Sequence, residues 1–364
     1  MRFSPTFSLY VIKNLLMNLL YLFLIFTFLS FIVDFLELIR ESQGKNLQIG
    51  QMIKLVLYKV PFITYSFLPF IFLFGSILTF TKLNNSFELA AAKSSGISIW
   101  SLCLPITATI LILSILILTV FQPISAILLD NNHMLGAKYL GQNNHRVSLQ
   151  DNGIWLYDHL NNQEDDKIIT IQHASNHGRI LSNVTVYSAG SLNDYTTSYA
   201  AENASISDNA LSLNNVLKYI PGKEAQHFEN ISLPTKLTQD QIQESIPNPD
   251  IIPIWELRSF INKIKQSGLS TIKHEVHLQS LIASPLLYIS LVLIALSCSI
   301  NLPRNGKLGI VFIIGGSIGI LIFFINKMVN VMALTALMPI SFAVTAPSLA
   351  YLLLSIAALI HCEE

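Results

Sequence analysis

Asn84-Asn85-Ser86-Phe87-Glu88-Leu89-Ala90-Ala91-Ala92-Lys93-Ser94-Ser95-Gly96-Ile97-Ser98 is a short polar stretch lying between two long apolar runs. Leu89 and the three alanines favour helix. Asn85 is a capping residue type, with Glu88 three positions on as its box partner. Gly96 is placed to end the helix. The chain therefore leaves one apolar run, makes about three turns of helix over 85–95, and enters the next. So short a helix is unstable alone in water and needs a surface to lie on. Two readings stand side by side: a connector whose Glu88 only caps, and a docking helix for a soluble partner.

Composition sets the class. Of 364 residues, 52% are hydrophobic and only 12% charged, with mean hydropathy +0.53. Soluble domains carry roughly twice that charged fraction. This is the composition of a polytopic membrane protein with enough polar sequence for one soluble domain. Net charge is zero, so no basic field points to nucleic acid. Cys103, Cys298 and Cys362 lie in or beside apolar runs and supply no disulfide framework to the polar segment. The first apolar run, about 15–33, is longer than a signal-peptide core and is followed by Asp34, which predicts a retained first span.

Six stretches are long enough to cross about 30 Å of hydrocarbon: roughly 14–34, 56–81, 99–121, 278–300, 308–330 and 340–361. Pro61 and Pro69 in the second and Pro285 in the fourth predict kinks. With the N-terminus inside, the short inner segments hold Arg2, Lys13, Lys82, Lys93, Arg304 and Lys307, against Arg40, Lys45 and Lys54 outside. That excess places both termini and the 85–95 helix in the cytoplasm, and residues 122–277 on the far side.

The far-side segment alternates with period two at 146–149, 153–157, 167–171, 183–187, 204–206 and 210–213, between Asn, Asp, Gly and Ser clusters. An antiparallel sandwich or open barrel is expected. An amphipathic helix then begins near Pro253, with Ile254, Leu257, Phe260, Ile261 and Ile264 on one face, and ends near Gly268. The domains expected are 1–121 (spans one to three with the short helix), 122–252 (the β domain) and 253–364 (the amphipathic helix and spans four to six).

Little points to chemistry within this chain. Gly306-Lys307 and Gly222-Lys223 lack the upstream glycine and following hydroxyl of a phosphate-binding loop. His173 and His177 form the only i, i+4 histidine pair, in a strand-and-turn context that disfavours a metal site. No metal, cofactor or catalytic residue is expected. The tripeptides starting at Asn183, Asn203 and Asn230 fit glycosylation sequons, a match frequent by chance in an Asn-rich segment. The distinctive charges flank the outer ends of spans: Asp34, Glu37, Arg40 and Glu41 after span one, Lys59 on span two, and Lys327 with Asn326 and Asn330 on span five. Charge at that depth faces a cavity or a partner, or snorkels to the interface. Asp34, Arg40, Lys59 and Lys327 are thus candidates to line a path for a polar or anionic substrate.

Several segments together resemble one family, the LptF/LptG (YjgP/YjgQ) permeases of the lipopolysaccharide exporter, and within it the LptG branch. Span one ends Asp34-Phe35-Leu36-Glu37-Leu38-Ile39-Arg40-Glu41, similar to its "DFVxxLR" ending. Leu68-Pro69 and Gly75 resemble "LPxxxLxG", and 86–98 resembles "SELxAMRAAGxS" with one residue between Ser and Glu. Leu257 through Gly268 resembles "LxxYIxxLxxxG", Glu275 and Pro285 fall where "YE…PL" does, and Pro303-Arg304-Asn305-Gly306 resembles "PRxG". The match runs in order along nearly the whole chain.

The resemblance implies six spans and a periplasmic β-jellyroll insert between the third and fourth. It implies an inner-membrane permease subunit of an ABC transporter that exports lipopolysaccharide. Its partners would be a second, LptF-like permease, an LptB-like ATPase dimer docking on cytoplasmic coupling helices, and LptC-like and LptA-like periplasmic bridge proteins. The 85–95 helix would be the coupling element, with Phe87, Glu88, Leu89, Lys93 and Gly96 as its residues. Spans one and five would flank a lateral gate. Two departures stand out. Some relatives carry a lysine for lipid phosphates where this chain has Asp34, and the coupling motif's Met-Arg reads Ala92-Lys93, which keeps the charge but not a bidentate fork. The rival class is a membrane-anchored sensor or assembly factor whose β domain is a binding module. A self-contained secondary transporter would need midplane ionisable residues, whereas these charges cluster at span ends.

Overall fold

The structure, a computed structural model, describes residues 5–43, 47–96, 98–140, 148–150, 153–158, 167–175, 180–189, 195–207, 210–235, 246–301, 308–335 and 338–363. Two compact units form. One comprises Met1–Leu140, Asp250–Trp255 and Glu275–Glu364; the other comprises Gly141–Pro249 and Glu256–His274.

In chain order the helices are α1 (Pro5–Glu41), α2 (Ile49–Ser66), α3 (Leu68–Asn85), α4 (Glu88–Ser94), α5 (Ile99–Leu116), α6 (Gln122–Leu140), α7 (Ile254–Gln266), α8 (Ile272–Asn301), α9 (Leu308–Leu334) and α10 (Ile340–Glu363). Among the described residues five helical segments are long and apolar enough to cross a membrane, and a sixth span results if the bent pair α2–α3 counts as one. The expected fold class therefore stands: membrane helices with an inserted all-β domain.

Two span readings change in detail. The second span is two helices meeting at 61°. Pro69, in the first turn of α3, has no N–H to offer the carbonyl of Tyr65, so the α2 ladder stops there. A new ladder starts when Phe70 and Ile71 donate to Phe67 O at 3.0 and 3.1 Å. Pro61 and Pro285 both lie inside continuous helices. The third span does not stop at 121 either. A π-helical turn at Ile117–Phe121 joins α5 to α6, which carries the chain on to Leu140. The β domain thus begins after Leu140, later than the expected 122. The apolar run ends at 121, but the helix continues because α6 has packing partners of its own. Asn132 donates to Leu55 O of α2 at 2.7 Å, and Leu135 and Tyr139 pack beside α2's Leu55 and Val56.

The centre of the membrane unit is α3, buried at Leu68, Ile71, Phe72, Leu73, Ile77, Phe80 and Leu83. In hydrocarbon, apolar burial does not drive helix association, so close packing and hydrogen bonds must. Both are present. A Cβ on Gly75 would sit 3.3 Å from Leu19 Cα, so α1 and α3 approach where only glycine fits. Asn18 of α1 donates to Thr79 Oγ1 at 2.8 Å. On another side, Leu73 fills the notch at Gly319 of α9. On a third, Asn84 donates to Ser299 O of α8 at 2.9 Å.

The second unit is a sheet of β1 (Ser148–Gln150), β2 (Gly153–Asp158), β3 (Lys167–Ser175), β4 (Ile180–Ala189), β5 (Tyr195–Ser207), β6 (Ala210–Tyr219) and β7 (Gln226–Pro234). The described strands run in sequence order, each antiparallel to its neighbour. Val184 pairs with Ala201 and Leu213 with Ile231, so apolar residues share one face. That face buries Ile169, Ile171, Val184, Val186, Leu211 and Leu213, and α7 closes it with Ile264 and Phe260. The amphipathic helix expected from Pro253 onward is therefore α7. β7 escapes a reading by period because its sequence is polar and it is largely exposed at the sheet edge. His177 of the histidine pair and the 303–306 loop lie outside the described residues.

Candidate functional site

The opening stretch forms α4, seven residues long instead of the expected 85–95. Asn85 does not cap it; Asn85 is the last residue of α3. The ladder of α3 persists that far because Asn84 anchors its end to α8. Phe87 makes the turn between the two helices at φ +60°, a left-handed conformation costly for an aromatic residue. Its carbonyl accepts the N–H of Ala91 at 2.9 Å and so opens α4. Gly96 ends the helix at φ +82°, as expected. Ser98 then caps α5, its Oγ accepting the N–H of Trp100 at 3.3 Å.

Glu88 has a different role from the one assigned by the capping box. Its Oε1 accepts from Ser86 Oγ at 2.9 Å and from the Tyr10 hydroxyl of α1 at 3.4 Å. The two apolar residues beside it point to different places. Phe87 is 58% exposed, whereas Leu89 packs against the buried core. Of the pair, only Phe87 presents a large surface outward. The side chain of Lys93 lies outside the described residues.

At the opposite end of α1, Lys59 Nζ of α2 approaches Asp34 Oδ1 to 2.5 Å and Glu37 Oε2 to 3.9 Å. Asp34 is 5% exposed. A carboxylate so buried is tolerable only when paired. The pair rests on Leu38, Met52, Leu55, Val56 and Val60, which join α1 to α2 beneath it. Two of the path candidates are therefore brought together and neutralise each other. Arg40 sits exposed in the last turn of α1 with no ion pair among the described residues.

Lys327 stands elsewhere, on α9. It lines a cavity of about 100 Å³ with Pro69, Phe70, Leu73 and Phe323, and with Asn326 and Asn330 on its polar side. Its Nζ lies 5.8 Å from the Phe323 ring centre, and no carboxylate pairs with it among the described residues. The cavity is apolar along α3 and cationic along α9, the polarity of a site for an anionic amphiphile. Among the described residues, no group of three or more His, Cys, Asp or Glu is placed to hold a metal.

Sequence reasoning did not find Tyr10 or Gln122. Gln122 is buried, donating to Ile252 O at 3.4 Å and accepting the N–H of Ile254 at 3.0 Å. A lone Gln directly after a long apolar run was a legible signal for it. Tyr10 had none, because its partner lies 78 positions away.

The family model for the lipopolysaccharide export system permease LptF/LptG matches residues 9–361. Two curated relatives are each 22% identical over 357 residues, covering 95% of this chain and 96% of theirs. Both are lipopolysaccharide export system permease proteins LptG, from Escherichia coli strain K12 and from Escherichia coli O6:H1. With the family pattern matched through all the membrane helices and the sheet between them, the chain belongs to the LptF/LptG family of lipopolysaccharide export permeases.

Proposed function

We propose that this chain is the permease subunit of an ABC transporter that extracts lipopolysaccharide from the bacterial inner membrane and sends it toward the outer membrane. The observation that carries the reading is the family match over residues 9–361. ATP hydrolysis belongs to a separate, LptB-like ATPase dimer, because the chain carries no phosphate-binding loop. Its membrane partner is a second, LptF-like permease. LptC-like and LptA-like proteins continue the path beyond the membrane. The N- and C-termini and α4 lie in the cytoplasm, in keeping with the excess of Lys and Arg in the inner loops, and the β domain lies in the periplasm.

In this reading α4 is the coupling helix. Phe87 enters a groove on the ATPase and Glu88 meets a cation at its rim. Movement of α4 passes into α3, to which it is joined at Ser86 and Phe87. Since α3 is interlocked with α1 at Gly75 and with α9 at Gly319, the helices flanking the gate move with it. Lys327 and Arg40 offer positive charge to lipid phosphates. Asp34 and Lys59 hold α1 against α2 instead of contacting the lipid.

The test is extraction in mild detergent, affinity capture of this chain, and mass spectrometry of the proteins and lipids retained. A P-loop ATPase, a second permease and a lipid A-containing glycolipid are expected. Capture of this chain with neither ATPase nor glycolipid, while the chain remains folded, overturns the reading.

A further inference from the structure

Trp255 stands 68% exposed in the first turn of α7. Tryptophan is on average a well-buried residue, so an indole this bare calls for a partner. The segment that carries it, Asp250–Trp255, is compact with the membrane helices. Polar contacts from two helices hold that segment. Buried Gln122 donates to Ile252 O at 3.4 Å and accepts the N–H of Ile254 at 3.0 Å. His277 Nδ1 of α8 lies 3.4 Å from Asp250 Oδ1. The two clamping residues mark a depth. Gln122 directly follows the apolar run of the third span, and His277 directly precedes that of the fourth. The β insert joins those two span ends, so both lie on one face of the membrane. Each stands where the sequence turns polar, which is the edge of the hydrocarbon. A segment bonded to both is fixed at that edge, and Trp255 follows directly on its last bonded group, Ile254 N.

We propose that Trp255 is an interfacial anchor whose indole lies in the lipid headgroup layer on the β-domain side of the membrane. The partner is the bilayer surface itself. Tryptophan suits that layer because its ring is apolar while its N–H donates to lipid oxygens or water. A headgroup environment satisfies both parts of the side chain, whereas bulk water satisfies only the N–H. The anchor adds a lipid contact to the protein contacts at Gln122 and His277. The depth at which the chain enters α7 is thereby set by the bilayer as well as by the helices. The inference needs only that the third and fourth spans cross the membrane, and it stands apart from the transport reading.

The test is depth-dependent fluorescence quenching of the full chain, with the proteins that copurify with it, in phosphatidylethanolamine–phosphatidylglycerol nanodiscs. Because Trp255 is exposed, Trp255→Phe leaves the packed core intact. The difference in emission between wild type and this variant isolates Trp255 from Trp100 and Trp155. The nanodiscs carry a nitroxide either on the lipid headgroup or at mid-chain. The headgroup label is expected to quench the Trp255 share about twofold more than the mid-chain label does, as a ring in the interfacial belt requires. Aqueous iodide should quench that share little. Quenching by iodide without quenching by the headgroup label would put the ring in water and overturn the anchor. Quenching by none of the three would mean that protein covers the ring, and stronger quenching by the mid-chain label would put it in the hydrocarbon core. Either result also overturns the inference.

Discussion

Lys59 Nζ lies 2.5 Å from Asp34 Oδ1, joining α2 to α1 through a carboxylate that is almost wholly buried. The relationship is asymmetric. Lys59 retains 38% of its side-chain exposure and Asp34 only 6%. Removing the lysine therefore strands a buried charge, whereas removing the acid frees a cation that can reach water.

Lys59→Met is accordingly expected to destabilise the folded protein by about 3 kcal/mol. Asp34→Asn should cost less, about 1 kcal/mol. The double variant should recover most of the Lys59→Met loss. Thermal unfolding in detergent, run as a double-mutant cycle, measures the coupling, and additive losses would contradict the pairing.

Gly75 faces Leu19 at a distance no side chain can share without movement. Gly75→Val should cost about 1–3 kcal/mol through overpacking. Leu19→Ala in the same chain should return part of it, since the nearest clashing atom, at 2.7 Å, is Leu19 Cδ2. The same unfolding assay reports both. Failure of Leu19→Ala to improve Gly75→Val would place the strain elsewhere.

Phe87 combines exposure with a left-handed backbone. Phe87→Gly should relieve about 1 kcal/mol of backbone strain while removing the aromatic surface that the proposed coupling role assigns to ATPase docking. Stability and ATPase retention are thus expected to move in opposite directions. Joint measurement of the unfolding temperature and the copurified ATPase tests this, and unchanged retention would remove Phe87 from the docking surface.

Lys327 has no carboxylate partner among the described residues and lines a partly apolar cavity. Lys327→Ala should weaken retention of the anionic glycolipid, and Lys327→Arg should preserve it. The charge term should fade at high salt, as exposed electrostatics do. Glycolipid copurifying with each variant at low and high salt is the measurement. Equal retention by the alanine variant would exclude Lys327 from the path.

Much of the fold was legible because its signals are local. Apolar runs of membrane length mark spans, and period-two alternation marks strands wherever one face is buried. Gly96 ends α4 because its backbone conformation suits glycine, a property of one residue. Where the reading strayed, the deciding partner was distant in sequence. Asn85 looked like a cap until Asn84, by bonding Ser299 O, carried α3 past it. Composition changes at 121, yet the helix persists beyond it through contacts with α2 and with the carbonyl of Ile252. The edge strand β7 was invisible because an exposed edge needs no apolar alternation.

The candidate site divides the same way. Composition and hydropathy by themselves determined that the chain spans a membrane and carries one β insert, since both follow from residue types along a short window. Tertiary structure alone decided that Lys59 and Asp34 quench each other, that Lys327 does not share their site, and that Glu88 answers to Tyr10. The physical reason is that a charged side chain's role depends on the nearest opposite or hydrogen-bonding group. In a helical membrane protein that group sits on a different helix, at a separation no local pattern encodes.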